Sequence, residues 1–239
     1  DIGVLILHYV MTATLFSLPL IWVKEHGFDI ARHWQVYLPV LVLSVVVMLP
    51  LIIIGEKRRQ LKQIFVAAVL LLGLMNLLFW LGSAHWWLLV AGLWAFFIAF
   101  NLLEASLPSL VAKFAPPAHK GTAMGAFASA QFFGAFLGAV SAGYVSHHYG
   151  VANIFLVNAV LLGLWAGIAI SMRQPPYLSS KLLQVGSLDA QAARKLAMQL
   201  TAIRGVAEAV VIPEDRIAYL KVDNKALDKA CLLYTSPSP

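Results

Sequence analysis

Cysteine is nearly absent from this sequence: Cys231 is the only one in 239 residues. That excludes a disulfide framework and a thiolate metal site. Charge is scarce as well. Asp, Glu, Lys and Arg make up 12% of the chain, about half the ~25% usual in soluble domains. No GxSxG, HExxH or P-loop is present, so the enzyme chemistries those motifs would signal have no visible machinery. His147 and His148 are adjacent, whereas a helical metal site wants ligands four apart and more of them. They read as interfacial residues, and no metal is expected. Apolar sequence begins directly after Asp1, with no basic n-region and no small-residue cleavage site. It is therefore not a signal peptide and reads as the interior of a longer chain.

What the sequence does have is apolar length. Hydrophobic residues make up 61% of it, and the mean hydropathy is +0.82. Six apolar runs fill the first part, at about residues 2–23, 36–54, 64–81, 86–111, 122–145 and 151–172. A helical run of ~20 apolar residues matches the ~30 Å hydrocarbon core of a bilayer, so the expected fold class is an all-α membrane protein with the lipid bilayer as its first partner. The net charge of +6 could suggest nucleic acid, but the cations cluster in short loops and in the tail, so no nucleic-acid partner is expected. Lys57, Arg58, Arg59 and Lys62 fill the second connection, Lys113 and Lys120 the fourth, and Arg173 and Lys181 follow the sixth run. The third and fifth connections have no Lys or Arg. By the positive-inside rule, the second and fourth connections and the tail are cytoplasmic. Trp34, Tyr37, Trp86, Trp87, Tyr144 and Tyr149 fall near the run ends, as interfacial aromatic belts do.

Glu104 is the most informative residue. It lies inside the fourth run, in Phe100-Asn-Leu-Leu-Glu-Ala-Ser-Leu-Pro108. A carboxylate at membrane depth normally faces a bundle interior or an aqueous cavity. It suits a proton carrier or a site for a cationic substrate, and the bland alternative is a hydrogen bond between helices. Asn101 precedes it by three residues and shares its helical face. Gln131, in the fifth run, is a further polar candidate. Gly121 and Gly125, and Gly134 and Gly138, each have small-xxx-small spacing, which lets helix backbones approach closely. The head of the second connection, Glu56-Lys57-Arg58-Arg59, can lock helix ends by ion pairs and dipole interactions or serve only as a topology signal.

Residues 173–181 read as a linker, and 182–230 as a small separate domain. Residues 182–185 are a strand candidate. Asp189 can cap a helix running to about Thr201, and residues 206–212 and 217–222 are β-rich runs around a turn at Pro213-Glu-Asp-Arg216. A second helix opens near Asn224. The order βαββα is a ferredoxin-like α+β pattern. It is similar to heavy-metal-associated domains, whose CxxC is replaced here by Gly186-Ser-Leu-Asp-Ala190, which disfavours a metal. A regulatory or self-association module is expected, with a plain appendage that stabilises the cytoplasmic face as the alternative. Residues 231–239 do not continue the pattern and resemble the translation of a transposon-type sequencing adapter.

The stretch from Phe100 to Lys113, followed by Lys120-Gly-Thr-Ala-Met-Gly-Ala-Phe-Ala-Ser-Ala-Gln-Phe-Phe-Gly134, resembles the tenth and eleventh helices of a major facilitator superfamily transporter. Within that family the tail is similar to the soluble domain of certain bacterial drug and proton antiporters. The resemblance implies helices seven to twelve of a twelve-helix fold built from two related halves, the first half being the missing partner. It implies an inner-membrane location, efflux of an unidentified small molecule, and a proton gradient as the energy source, with no cofactor. Glu56 to Lys62 then falls where the second half carries a degenerate cytoplasmic loop motif; Glu56 stands at its acidic position, but the motif's glycines are missing. A self-contained six-helix dimeric transporter and a non-transporting membrane sensor signalling through the tail are the alternatives.

Overall fold

The computed structural model of the protein describes residues 2–82, 84–115, 119–172, 179–223 and 226–227. Six of its helices are long and apolar enough to cross a membrane. They are α1 (Ile2–His26), α2 (Trp34–Lys57), α3 (Leu61–Leu81), α4 (Trp86–Phe114), α5 (Lys120–Tyr149) and α6 (Asn153–Ser171). Most begin or end two to four residues beyond the apolar runs, because polar residues such as Lys57 and Lys120 continue the helix after the hydrophobic stretch stops. The ends are set by backbone chemistry. Gly27 and Gly150, at φ +60° and +91°, follow α1 and α5, a left-handed conformation that glycine adopts without a Cβ clash. At the end of α2 the N–H groups of Arg59 and Gln60 donate to the carbonyls of Glu56 and Gly55. That is a Schellman pattern, with Arg59 rather than glycine in the left-handed position at φ +56°.

The helices are apolar on every side, as expected of helices surrounded by protein and lipid rather than water. α1 is the most enclosed, with Leu7, Val10, Ala13, Leu18 and Trp22 fully buried. It packs against α4, α5 and α6; α3 packs between α4 and α6, and α2 lies against α4. α2 and α5 leave broad apolar faces exposed, including Val42, Val46, Phe132 and Phe136.

The α1–α5 contact is the closest in the bundle. A Cβ at Gly134 would fall on the Leu5 carbonyl oxygen, and one at Gly138 on the Tyr9 carbonyl oxygen. Two glycines four apart thus face two carbonyls four apart, and the backbones touch. Gly121 and Gly125 differ: a Cβ at either would meet nothing within 4 Å. Their small-xxx-small spacing makes no helix contact among the described residues, because they lie on exposed turns before the crossing. A polar tie joins three helices: Asn158 Nδ2 donates to Asn76 Oδ1 at 3.0 Å and to Thr14 Oγ1 at 3.3 Å, with all three residues fully buried.

The tail forms a unit of its own. Strand β1 (Ser179–Gln184) begins inside the stretch expected as linker and is followed by α7 (Ala190–Thr201), β2 (Val206–Ile212) and β3 (Ile217–Val222). The sheet is antiparallel with β3 in the centre, in the order β1-β3-β2. Val185, Leu196, Leu200, Val206 and Leu220 form its core. Asp189 caps α7, accepting from the Ala192 N–H at 2.6 Å. Across the sheet, Glu208 pairs with Lys221 at 3.1 Å. This arrangement is compatible with the ferredoxin-like pattern. The helix expected near Asn224, residues 173–178 and the adapter-like end with Cys231 lie outside the described residues.

Candidate functional site

The α1–α5 crossing positions the site. Gln131 lies three residues before Gly134 and seven before Gly138, so it shares their face and is carried onto α1 beside His8. Its Nε2 stands 2.9 Å from His8 Nε2 and 3.4 Å from Glu104 Oε1. Glu104, from α4, places Oε2 3.5 Å from His8 Nε2. The three polar side chains therefore come together from three helices. Phe100, one turn before Glu104, sets its ring edge-on to the imidazole at 5.9 Å.

The hydrogen bonds define the protonation states open to the site. His8 Nδ1 lies 3.1 Å from the Val4 carbonyl oxygen, an acceptor only, so Nδ1 carries a proton. In the neutral ring Nε2 is then bare and accepts from the Gln131 amide. A bare Nε2 and an ionised Glu104 would set two lone pairs against each other. A proton on Glu104 lets its hydroxyl face Nε2, whereas a proton on Nε2 requires the Gln131 amide, 2.9 Å away, to turn its oxygen towards the ring. Glu104 Oε2 is buried and has no hydrogen-bond partner in this arrangement; a proton between it and His8 supplies one. The His8 side chain is 7% exposed and that of Glu104 is 35% exposed. A buried imidazole beside a partly exposed carboxyl is a pair between which a proton can pass.

Of the residues singled out in the sequence, Glu104 and Gln131 meet here. Asn101 does not: its Nδ2 donates to Ser44 Oγ on α2 at 2.9 Å. Three residues of spacing share a face only broadly, and the Ser44 hydroxyl, itself bonded to the Leu41 carbonyl at 2.7 Å, draws the amide aside. His8 went unnoticed in the sequence. Its one signal is an ionisable residue well inside the first apolar run, the criterion that singled out Glu104. Glu56 and Lys57 form the last turn of α2, with Arg58 and Arg59 turning the chain out of it. His147 and His148 are exposed at the end of α5, where His148 stacks on Tyr144 at 4.3 Å. No cluster of three or more His, Cys, Asp or Glu that could hold a metal occurs among the described residues.

The Major Facilitator Superfamily profile matches residues 2–213. The chain belongs to this family. It is 34% identical to the inner membrane transport protein YajR of Escherichia coli (strain K12) over 229 residues, 96% of this chain and 50% of YajR. An uncharacterized transporter of Buchnera aphidicola subsp. Acyrthosiphon pisum is 27% identical over 57% of this chain and 35% of its own length. The chain thus spans about half the length of YajR, and as a family member with six apolar helices it is a multi-pass membrane protein.

Proposed function

We propose that this chain is the C-terminal half of a proton-coupled secondary transporter that exports small molecules by antiport, with His8, Glu104 and Gln131 as a proton-carrying site. The observation that carries the reading is the His8–Glu104 pair: two ionisable groups 3.5 Å apart, joined by one amide, and a proton can be held by either group. A proton that must be present in one state and absent in another is what coupling to a gradient requires. Gln131 keeps a hydrogen bond to the ring in either state, donating its N–H to a bare Nε2 and turning its amide oxygen to a protonated one. The transported compound is a small molecule, and the positive-inside rule supports a cytoplasmic side for the basic ends of α2 and α5 and for the tail. The tail serves there as a regulatory or self-associating module.

Infrared difference spectroscopy of the full-length protein tests the site directly. A protonated-carboxyl band that titrates with pH and vanishes in Glu104→Gln is the expected result, with loss of proton-driven flux in proteoliposomes. A carboxyl signal and flux that both survive Glu104→Gln would refute it.

A further inference from the structure

An open cavity of about 580 Å³ lies at one end of the bundle, where α1, α3 and α5 begin and α4 and α6 end. No residue of the His8–Glu104–Gln131 site lines it. Its walls include Phe65, Leu107, Phe114, Ala123, Trp165 and Ala169; among the described residues Ser171 supplies the only hydroxyl and no charged side chain lines it. The volume falls within the ~300–1,000 Å³ of small-ligand sites, but its lining offers almost nothing to orient a polar molecule. An apolar chain is the ligand that such walls accept.

The rim has the opposite character. Lys62 precedes the lining residue Phe65 by three positions on α3, and Lys120 precedes the lining residue Ala123 by three on α5. Each therefore sits on the same helical face as the cavity wall, one turn nearer the helix start. Both are half-buried, and neither has an ion-pair partner among the described residues. Lys57 and Arg58 are exposed at the same end of the bundle. Glu56 is the only acid among the described residues of these turns. A basic rim above an apolar slot complements an anionic headgroup above a hydrocarbon chain.

We infer that this cavity holds one acyl chain of an anionic phospholipid, whose phosphate is set against Lys62 and Lys120. A zwitterionic lipid brings its own ammonium to the same rim and gains less there. The inference depends on the chain lying in a membrane with this end at the headgroup level, and not on the proton site.

Trp165 in the wall is the reporter. The full-length protein is placed in nanodiscs of phosphatidylglycerol or phosphatidylethanolamine with brominated acyl chains, and compared with Trp165→Phe to isolate the Trp165 emission. Brominated phosphatidylglycerol is expected to quench that emission at least threefold more strongly than the ethanolamine lipid. Lys62→Gln with Lys120→Gln, which leaves the packing intact, should erase the difference. Ala169→Phe and Ala123→Phe, which fill the cavity from two sides, should remove most of the quenching. Equal quenching by the two headgroups, or quenching unchanged in both filled variants, overturns the inference. So does the absence of quenching by either lipid, the result expected if another segment of the chain occupies the cavity.

Discussion

His8 Nε2 stands 3.5 Å from Glu104 Oε2, with Gln131 Nε2 within 3.4 Å of both side chains. If the two ionisable groups act as the single proton-carrying unit proposed above, their effects on function should not add. Glu104→Gln and His8→Gln are each expected to abolish proton uptake, and the double variant should be no worse than either alone. Residues acting as a unit behave in this non-additive way. A double-mutant cycle on proton uptake by the purified full-length protein checks it, and simple additivity would argue for two independent groups.

The geometry of that pair depends on two glycines that touch neither member. Gly134 and Gly138 let α5 meet the Leu5 and Tyr9 carbonyls on either side of His8. Alanine at either position has to push the helices apart, an overpacking that typically costs about 1–3 kcal/mol. Gly134→Ala and Gly138→Ala should lower thermal stability and also lengthen the His8–Gln131 contact, seen as a shifted imidazole resonance. Gly121→Ala and Gly125→Ala have open space and should leave both readouts unchanged.

What was legible in the sequence follows the same physics. The helices could be read because apolar length alone dictates a span, and β2 and β3 because β-rich runs flank a Pro-initiated turn. Glu104 stood out because a carboxylate in hydrocarbon is costly. The partners could not be read the same way. Which of two glycine pairs meets another helix depends on where α5 crosses α1, and spacing carries no information about that. Asn101 and Gln131 are equally polar and equally embedded, yet one reaches Ser44 and the other His8. Only the helix arrangement separates them.

That separation is itself testable. Asn101 Nδ2 donates to Ser44 and not to Glu104, so Asn101→Leu should leave the titrating carboxyl band in place. It should lower stability by about 1 kcal/mol, the usual net value of one hydrogen bond. Infrared titration and thermal unfolding measured on the same sample distinguish the two effects. A displaced carboxyl band would place Asn101 in the proton site after all.

The Thr14–Asn76–Asn158 tie gives a final contrast between structural and functional polarity. Asn158 Nδ2 serves two acceptors from α1 and α3, and all three residues are fully buried. Removing that donor leaves Asn76 Oδ1 and Thr14 Oγ1 without it in a dry interior. Asn158→Ala should therefore cost about 1–3 kcal/mol. The combined Thr14→Val, Asn76→Leu, Asn158→Leu variant removes both sides of each bond and should recover much of that loss. Unfolding in denaturant reads the difference. Because no ionisable group takes part, proton uptake should be equal in all three proteins once each is folded, whereas a loss of uptake in the triple variant would extend the proton path to Thr14, midway along α1.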